Sequence, residues 1–212
     1  ISGGCLEGDA LRKARQVMIS KKPTTVTYDT REESNQNLGI GLGCNGVIDV
    51  LIEPLDPANE KNTIRLFEGF IYSDEPLALA TIFRSADNTG DVLLIDSSGN
   101  KISRFKNESL TAKVLPELQQ LFKTKRSKTK IYTEDGEAEV FLELIQPSIS
   151  LLIFGGGFDA RPVSELAKSL GWHVSVTDEC VAHIAPIFFP SADKLSLCQR
   201  DFIDRDFKIT PY

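Results

Sequence analysis

The sequence predicts an α/β protein in two domains: a mixed α/β domain, then a Rossmann-like domain built on a parallel sheet. Two stretches lead there. Residues 150–154 are a short apolar run that ends in Gly155-Gly156-Gly157; a helical pattern follows to a stop at Gly171, and a second strand-like run, 172–177, ends at Asp178. That order is a βαβ unit, whose strands run parallel. Upstream of Gln146-Pro147 the pattern differs. Apolar or alternating runs at 77–84, 92–95, 128–133 and 138–145 are divided by hairpin signals at Ser97-Ser98-Gly99-Asn100 and Glu134-Asp135-Gly136. The boundary is therefore expected near 146, giving domains of 1–146 and 147–212, the second an incomplete doubly wound sheet.

Within the first domain, Leu6, Ala10, Leu11, Ala14, Val17 and Met18 recur every three or four residues and predict a helix over 6–20. Lys21, Lys22 and Pro23 stop it. The β-branched run 24–28 and the apolar run 47–53 predict strands, with a loop marked by Asp56, Pro57, Asn59 and Asn62. Asp49 and Glu53 alternate with Ile48, Val50 and Ile52 and are expected on a strand's solvent face. A short amphipathic helix is expected over 110–122, around Pro116. The basic stretch Lys123, Lys125, Arg126, Lys128, Lys130 has the look of a solvated strand edge, where lysines discourage edge pairing. The alternative is an anion or partner-docking patch.

The 212 residues are enough to bury roughly 70% of the unfolded surface without a disulfide or metal staple. Twenty-four Lys and Arg against 30 Asp and Glu leave a net charge of −6. That balance argues against nucleic acid or an anionic membrane as partner. No apolar run approaches the roughly 18 residues of a membrane span. Cys5, Cys44, Cys180 and Cys198 form no CxxC pair, and free thiols in a reducing, cytoplasmic setting are expected. The chain starts at Ile1 and its single methionine is Met18, so the start reads as a cut end.

Two glycine motifs compete. Gly41-Leu42-Gly43-Cys44-Asn45-Gly46 matches GxGxxG in letters, but a strand follows it where a dinucleotide fingerprint needs a helix. Gly155-Gly156-Gly157-Phe158-Asp159-Ala160 is GxGxxA and stands between a strand and a helix. Gly155 and Gly157 suit a tight turn and close phosphate approach, Ala160 suits close helix–strand packing, and Asp178 stands where an acid takes ribose hydroxyls. An unphosphorylated ribose is favoured there. The alternative is a Rossmann scaffold that binds another phosphate, or none.

Ser2-Gly3-Gly4-Cys5 runs straight into the first helix, and Cys44 lies in a second glycine-rich loop. A cysteine at a helix start gains thiolate character, and glycine loops expose backbone N–H groups to anions. Two such thiols suit one shared site for a phosphate-bearing, sulfur- or metal-containing ligand. Two turns with half-buried thiols are the plainer alternative.

The segments ISGGCLEGDALRKA, YDT and GLGCNGVIDVLIEPL, with FLELIQPSISLLIFGGGFDARPVSELAKSLGWHVSVTD and FPSAD, resemble the XdhC/CoxI family of xanthine and carbon monoxide dehydrogenase maturation factors. The resemblance covers both halves. It implies an accessory, non-catalytic protein that binds molybdenum cofactor (molybdopterin) and helps insert it into a xanthine dehydrogenase-type molybdenum hydroxylase. A sulfurating cysteine desulfurase and a second copy of the chain are its further implied partners. It also implies that Gly3, Gly4, Cys5, Gly43 and Cys44 handle the cofactor, with Cys5 and Cys44 as candidate thiolate contacts to molybdenum. Gly155, Gly157, Ala160 and Asp178 become an NAD(P)-type fingerprint. Two departures stand: Cys180 replaces an arginine frequent in the family, and Phe158 replaces a histidine.

The alternative function is an NAD-dependent oxidoreductase using the second domain, although no acid/base residue is evident beside the glycine motif. His173 and His183 are expected to be structural, Asp178, Cys180 and His183 making only a loose trio. Cys198, after Leu195 and Leu197, is expected to be an inert core thiol.

Overall fold

The computed structural model describes residues 5–29, 31, 46–59, 62–68, 75–133 and 136–207. The chain divides between Ile145 and Gln146 into two compact units.

The first unit opens with helix α1 (Cys5–Ser20), followed by β1 (Thr24–Asp29) and β2 (Val47–Ile52), which pair antiparallel from Asp29↔Val47 to Thr24↔Ile52. Helix α1 is less evenly amphipathic than its spacing predicts: Val17 is buried, whereas Leu11 and Met18 stand exposed. Only the Leu6, Ala10, Ala14, Val17 side turns inward, because the other two fall about 100° away around the helix. A six-residue helix, α2 (Thr63–Glu68), comes next.

Five strands then make one antiparallel sheet in the order β5-β4-β3-β7-β6: β3 (Leu77–Ser85), β4 (Val92–Asp96), β5 (Lys101–Ser103), β6 (Lys128–Tyr132) and β7 (Ala138–Ile145). Between β5 and β6 runs α3 (Glu108–Thr124). The Asn107 side chain caps α3 by accepting the Leu110 N–H at 3.0 Å, and the helix continues through Pro116. Leu110, Val114, Leu118 and Leu121, spaced four, four and three, lie against Ala78, Ala80, Ile82, Leu93, Ile95, Val140 and Leu142. Leu77, Leu79, Val92 and Leu94 fill the opposite face with Leu66 and Phe67 of α2. Burial on both faces explains why β3 and β4 read as continuous apolar runs where a one-faced strand would alternate.

The β1–β2 pair is fastened to this sheet by polar contacts. The Thr25 hydroxyl donates to the Phe83 carbonyl. Arg84 reaches Asp49 at 3.0 Å, Thr27 at 3.1 Å and the Glu139 carboxylate. Strand β6 is a sheet edge, and Lys128 and Lys130 both pair with Glu117 of α3. That is the solvated-edge arrangement expected of the basic stretch. Glu53 departs from expectation. Just beyond β2, it turns inward to accept from Thr63 at 3.0 Å and to pair with Arg104 at 3.4 Å.

The second unit is a parallel sheet of β8 (Ser150–Phe154), β9 (His173–Asp178) and β10 (Lys194–Leu197), in the order β10-β9-β8. Helix α4 (Ala160–Ser169) joins β8 to β9. Its inward residues Ala160, Ser164 and Ala167 are small, so the helix packs close to Val174 and Val176. Phe189 and Ile184 complete that core. A short α5 (Ile203–Asp206) follows β10.

Candidate functional site

In the first unit, α1 and β1 run in opposite directions across the turn at 21–23. One hydrogen bond fixes their alignment: the Tyr28 hydroxyl, near the end of β1, donates to the Asp9 carboxylate, in the second turn of α1, at 2.9 Å. The Tyr28 hydroxyl and then the adjoining Arg12 guanidinium hold the Asp9 carboxyl below its ordinary value. Burial, with Asp9 beside it, pushes the Tyr28 phenol up. Because Asp29 pairs with Val47, the first residues of β2 lie at that same end. The start of α1, where Cys5 is described by its backbone alone, and the start of β2 at Gly46 therefore share one end of the hairpin. Gly3, Gly4, Gly43 and Cys44 lie outside the described residues. Among the described residues no group of His, Cys, Asp and Glu is arranged to hold a metal.

In the second unit the candidate residues gather at the carboxyl ends of the parallel strands, the crevice where open α/β sheets take ligands. Gly155 has φ +103, a conformation closed to most side chains, and its N–H donates to the Thr177 carbonyl at 2.7 Å. Gly156 is buried against the chain after β9: a Cβ there would lie 2.4 Å from the His183 carbonyl oxygen. Gly157 is open except toward the Asp159 side chain, and Ala160 begins α4 as expected of the packing position.

Asp178 holds the two loops together. Its carboxylate accepts the Gly156 N–H at 2.8 Å and the Cys180 N–H at 2.8 Å, and the His183 ring Nδ1 lies 3.2 Å away. Those backbone donors, Gly156 first, keep its carboxyl below the ordinary value of 3.8. A group lowered on folding contributes stability that is whole above 3.8 and is lost as pH falls through the lowered value. Asp178→Asn should therefore lower the urea midpoint of the second unit at pH 6. The gap to the parent should close as pH falls below about 3.8. Trp172, the one tryptophan of the chain, reports this unit by fluorescence. A gap that did not change with pH would contradict the charged clasp.

The crevice has a volume of about 170 Å³ and is lined by Phe154, Gly155, Thr177, Asp178, Glu179, Cys198, Arg200 and Ile203. That is below the roughly 300 Å³ at which pockets for whole drug-sized ligands begin, and suits a ribose-sized portion of a ligand. Cys198 is buried, and burial, with Asp206 beside it, pushes its thiol up, which fits an inert sulfur. Cys180 is exposed.

Residues 1–29 match the XdhC and CoxI family. The chain is similar to the XdhC and CoxI proteins over that segment. It is 26% identical over all 212 residues to a protein described as a probable xanthine dehydrogenase subunit from Bacillus subtilis (strain 168), of which it covers 60%. The crystal structure of a protein described as a xanthine dehydrogenase from Bacillus halodurans superposes with a TM-score of 0.74 at 25% identity, covering all of this chain and 58% of that one. The chain thus spans about three-fifths of the length of both. In this XdhC/CoxI-like chain the family match falls on α1 and β1, and its last matched residue, Asp29, is the one paired with Val47 at the start of β2.

Two features of the site escaped the sequence. The first is the Tyr28–Asp9 bond, although both residues lie inside the segments that carry the resemblance. The second is Arg161 of α4, whose guanidinium carbon lies 4.1 Å from the Phe158 ring centre and 3.9 Å from that of Phe188. Phe158, three residues before it on the same side of a helical turn, was a legible signal; Phe188 was not.

Proposed function

We propose that this protein is an accessory factor that binds molybdenum cofactor and delivers it to a xanthine dehydrogenase-type molybdenum hydroxylase in the cytoplasm. One observation carries this proposal: the start of α1 and the start of β2, the ends to which Cys5 and Cys44 belong in sequence, lie together because Tyr28 ties Asp9 beside the Asp29–Val47 pair. A shared site for Cys5, Cys44, Gly3, Gly4 and Gly43 then needs no rearrangement of the described framework. These residue types suit a ligand carrying both a phosphate and a sulfur-bound metal. Glycine N–H groups and a helix start favour the phosphate, and soft thiolates favour the metal. When bound, the cofactor would supply the metal and dithiolene that the hydroxylase uses; the chain's own residues bind it and shield it. The names of the two relatives, both of which speak of a xanthine dehydrogenase, support a partnership with such an enzyme. A homodimer and a sulfur-donating desulfurase belong to the same proposal.

The test is purification of the full-length protein from molybdenum-replete cells, followed by assay of released pterin and of transfer to cofactor-free hydroxylase. Stoichiometric pterin and restored hydroxylase activity are expected. Absence of pterin, with NAD-dependent substrate turnover, would favour the oxidoreductase.

A second function of the chain, nucleotide binding by the second unit, is favoured by the Gly155–Gly157 loop, its opening into α4 and the acid at the end of β9. Here the residues fit: Gly155 and Gly157 leave the backbone open to a pyrophosphate, and Asp178 can exchange a loop N–H for ribose hydroxyls. NAD would be preferred to NADP, because Asp178 and Glu179 place two carboxylates at that corner of the crevice.

A further inference from the structure

We propose that Arg161 is a phosphate-binding residue, held ready by two aromatic rings at the mouth of the glycine loop. It is the second residue of α4, and its guanidinium carbon lies over two rings, 4.1 Å from the centre of Phe158 and 3.9 Å from that of Phe188. The two rings hold the guanidinium by cation–π contact, which leaves its terminal N–H groups to bind a partner. Among the described residues it makes no hydrogen bond and no ion pair, and its Nε is buried without an acceptor. Glu165 lies one turn along the same helix and Asp159 two residues before, yet neither pairs with it. Folded proteins leave few donors unmatched, and a bound anion at the terminal N–H groups would give this guanidinium the acceptor it lacks. Two rings also fix the side chain in advance, so little rotamer freedom remains to be lost on binding.

The neighbourhood selects phosphate among anions. The loop before α4 has a glycine at φ +103 and an exposed Gly157, and Asp159 gives the helix no side-chain cap. The start of α4 and a planar fork of donors on its second residue both favour an anion with several acceptor oxygens. Phe158, 82% exposed at the tip of the loop, is otherwise an unfavourable residue to present to water; as one wall of the arginine's slot it has a task.

This inference rests on, and deepens, the nucleotide-binding proposal for the second unit, and the probe is chosen to separate the two. Inorganic pyrophosphate and NAD are titrated separately into the full-length parent, Arg161→Gln, Arg161→Lys and Phe158→Leu. Parent binding of pyrophosphate should weaken about tenfold or more in Arg161→Gln, since a charge-assisted pair is lost. Arg161→Lys should recover part of it and Phe158→Leu should lose a smaller part, with melting temperatures near the parent's. Pyrophosphate binding that depends on Arg161 without NAD binding would uphold the arginine site and remove the nucleotide. Equal pyrophosphate affinity in parent and Arg161→Gln, or none in the parent, would overturn the proposal. Should Arg161→Gln fail to fold, the lysine and leucine variants decide by the same affinities.

Discussion

Gly156→Ala is expected to destabilise the second unit by about 2–4 kcal/mol, from overpacking together with a lost buried hydrogen bond. The added Cβ would stand 2.4 Å from the His183 carbonyl oxygen, which is backbone and cannot swing aside. The glycine loop and the chain after β9 would have to part, and the Gly156 N–H would leave the Asp178 carboxylate. Gly157→Ala is the control. There the nearest atom is the tip of the Asp159 side chain at 2.6 Å, which can rotate away, so a change within about 1 kcal/mol is expected. Urea titration followed by Trp172 fluorescence distinguishes the pair. Equal midpoints for the two variants would show that the close approach at Gly156 does not constrain the loop.

Leu142→Ala is expected to cost the first unit about 3–4 kcal/mol. Leu142 is fully buried in β7, paired with Ala80 of β3 and Lys128 of β6, and faces α3 through the cluster of Leu110, Val114, Leu118 and Leu121. A strand held on both sides with a helix above it has little room to collapse into the space left, which keeps the cost from the low end of the usual range. Leu11→Ala removes the same group from the exposed side of α1 and should change stability by no more than about 0.5 kcal/mol. Far-UV circular dichroism against urea reads both. A small effect at 142 together with a large one at 11 would reverse the assignment of inner and outer faces.

Much of the framework was legible because its signals are local. The βαβ unit announces itself through a fully apolar strand, a glycine loop and a glycine stop, and β8 and β9 do run parallel. The Gly41–Gly46 stretch could be set aside as a fingerprint because β2 follows it, and β2 begins at Val47. What escaped has a non-local cause. Strand β10, Lys-Leu-Ser-Leu, is too short and polar to stand out, and becomes a strand only beside β9. Helix α2 is six residues between loops. Glu53 reads as a solvent-facing strand residue until Arg104, 51 positions away, is folded against it. Leu11 and Met18 satisfy a helical spacing yet find no partner, since spacing names a face without saying what covers it. The site divides in the same way. The places of Gly155 and Gly157 in the loop, of Ala160 at the helix start and of Asp178 at the strand end follow from order along the chain alone. The clasp that Asp178 forms, the bond from Tyr28 to Asp9 and the slot around Arg161 all join residues that only the fold brings together.

A double-mutant comparison of cofactor affinity decides whether Cys5 and Cys44 serve one cofactor site. Molybdopterin dissociation is measured for the full-length parent, Cys5→Ala, Cys44→Ala and the double variant, with thermal melts alongside. If both thiols serve one site, each single change should weaken retention about tenfold. The double change should cost less than the sum of the two, because the second thiol loses its role with the first. Melting temperatures should stay near the parent's. A double variant that held molybdopterin as tightly as the parent would contradict the shared site and return both cysteines to structural roles in two glycine turns.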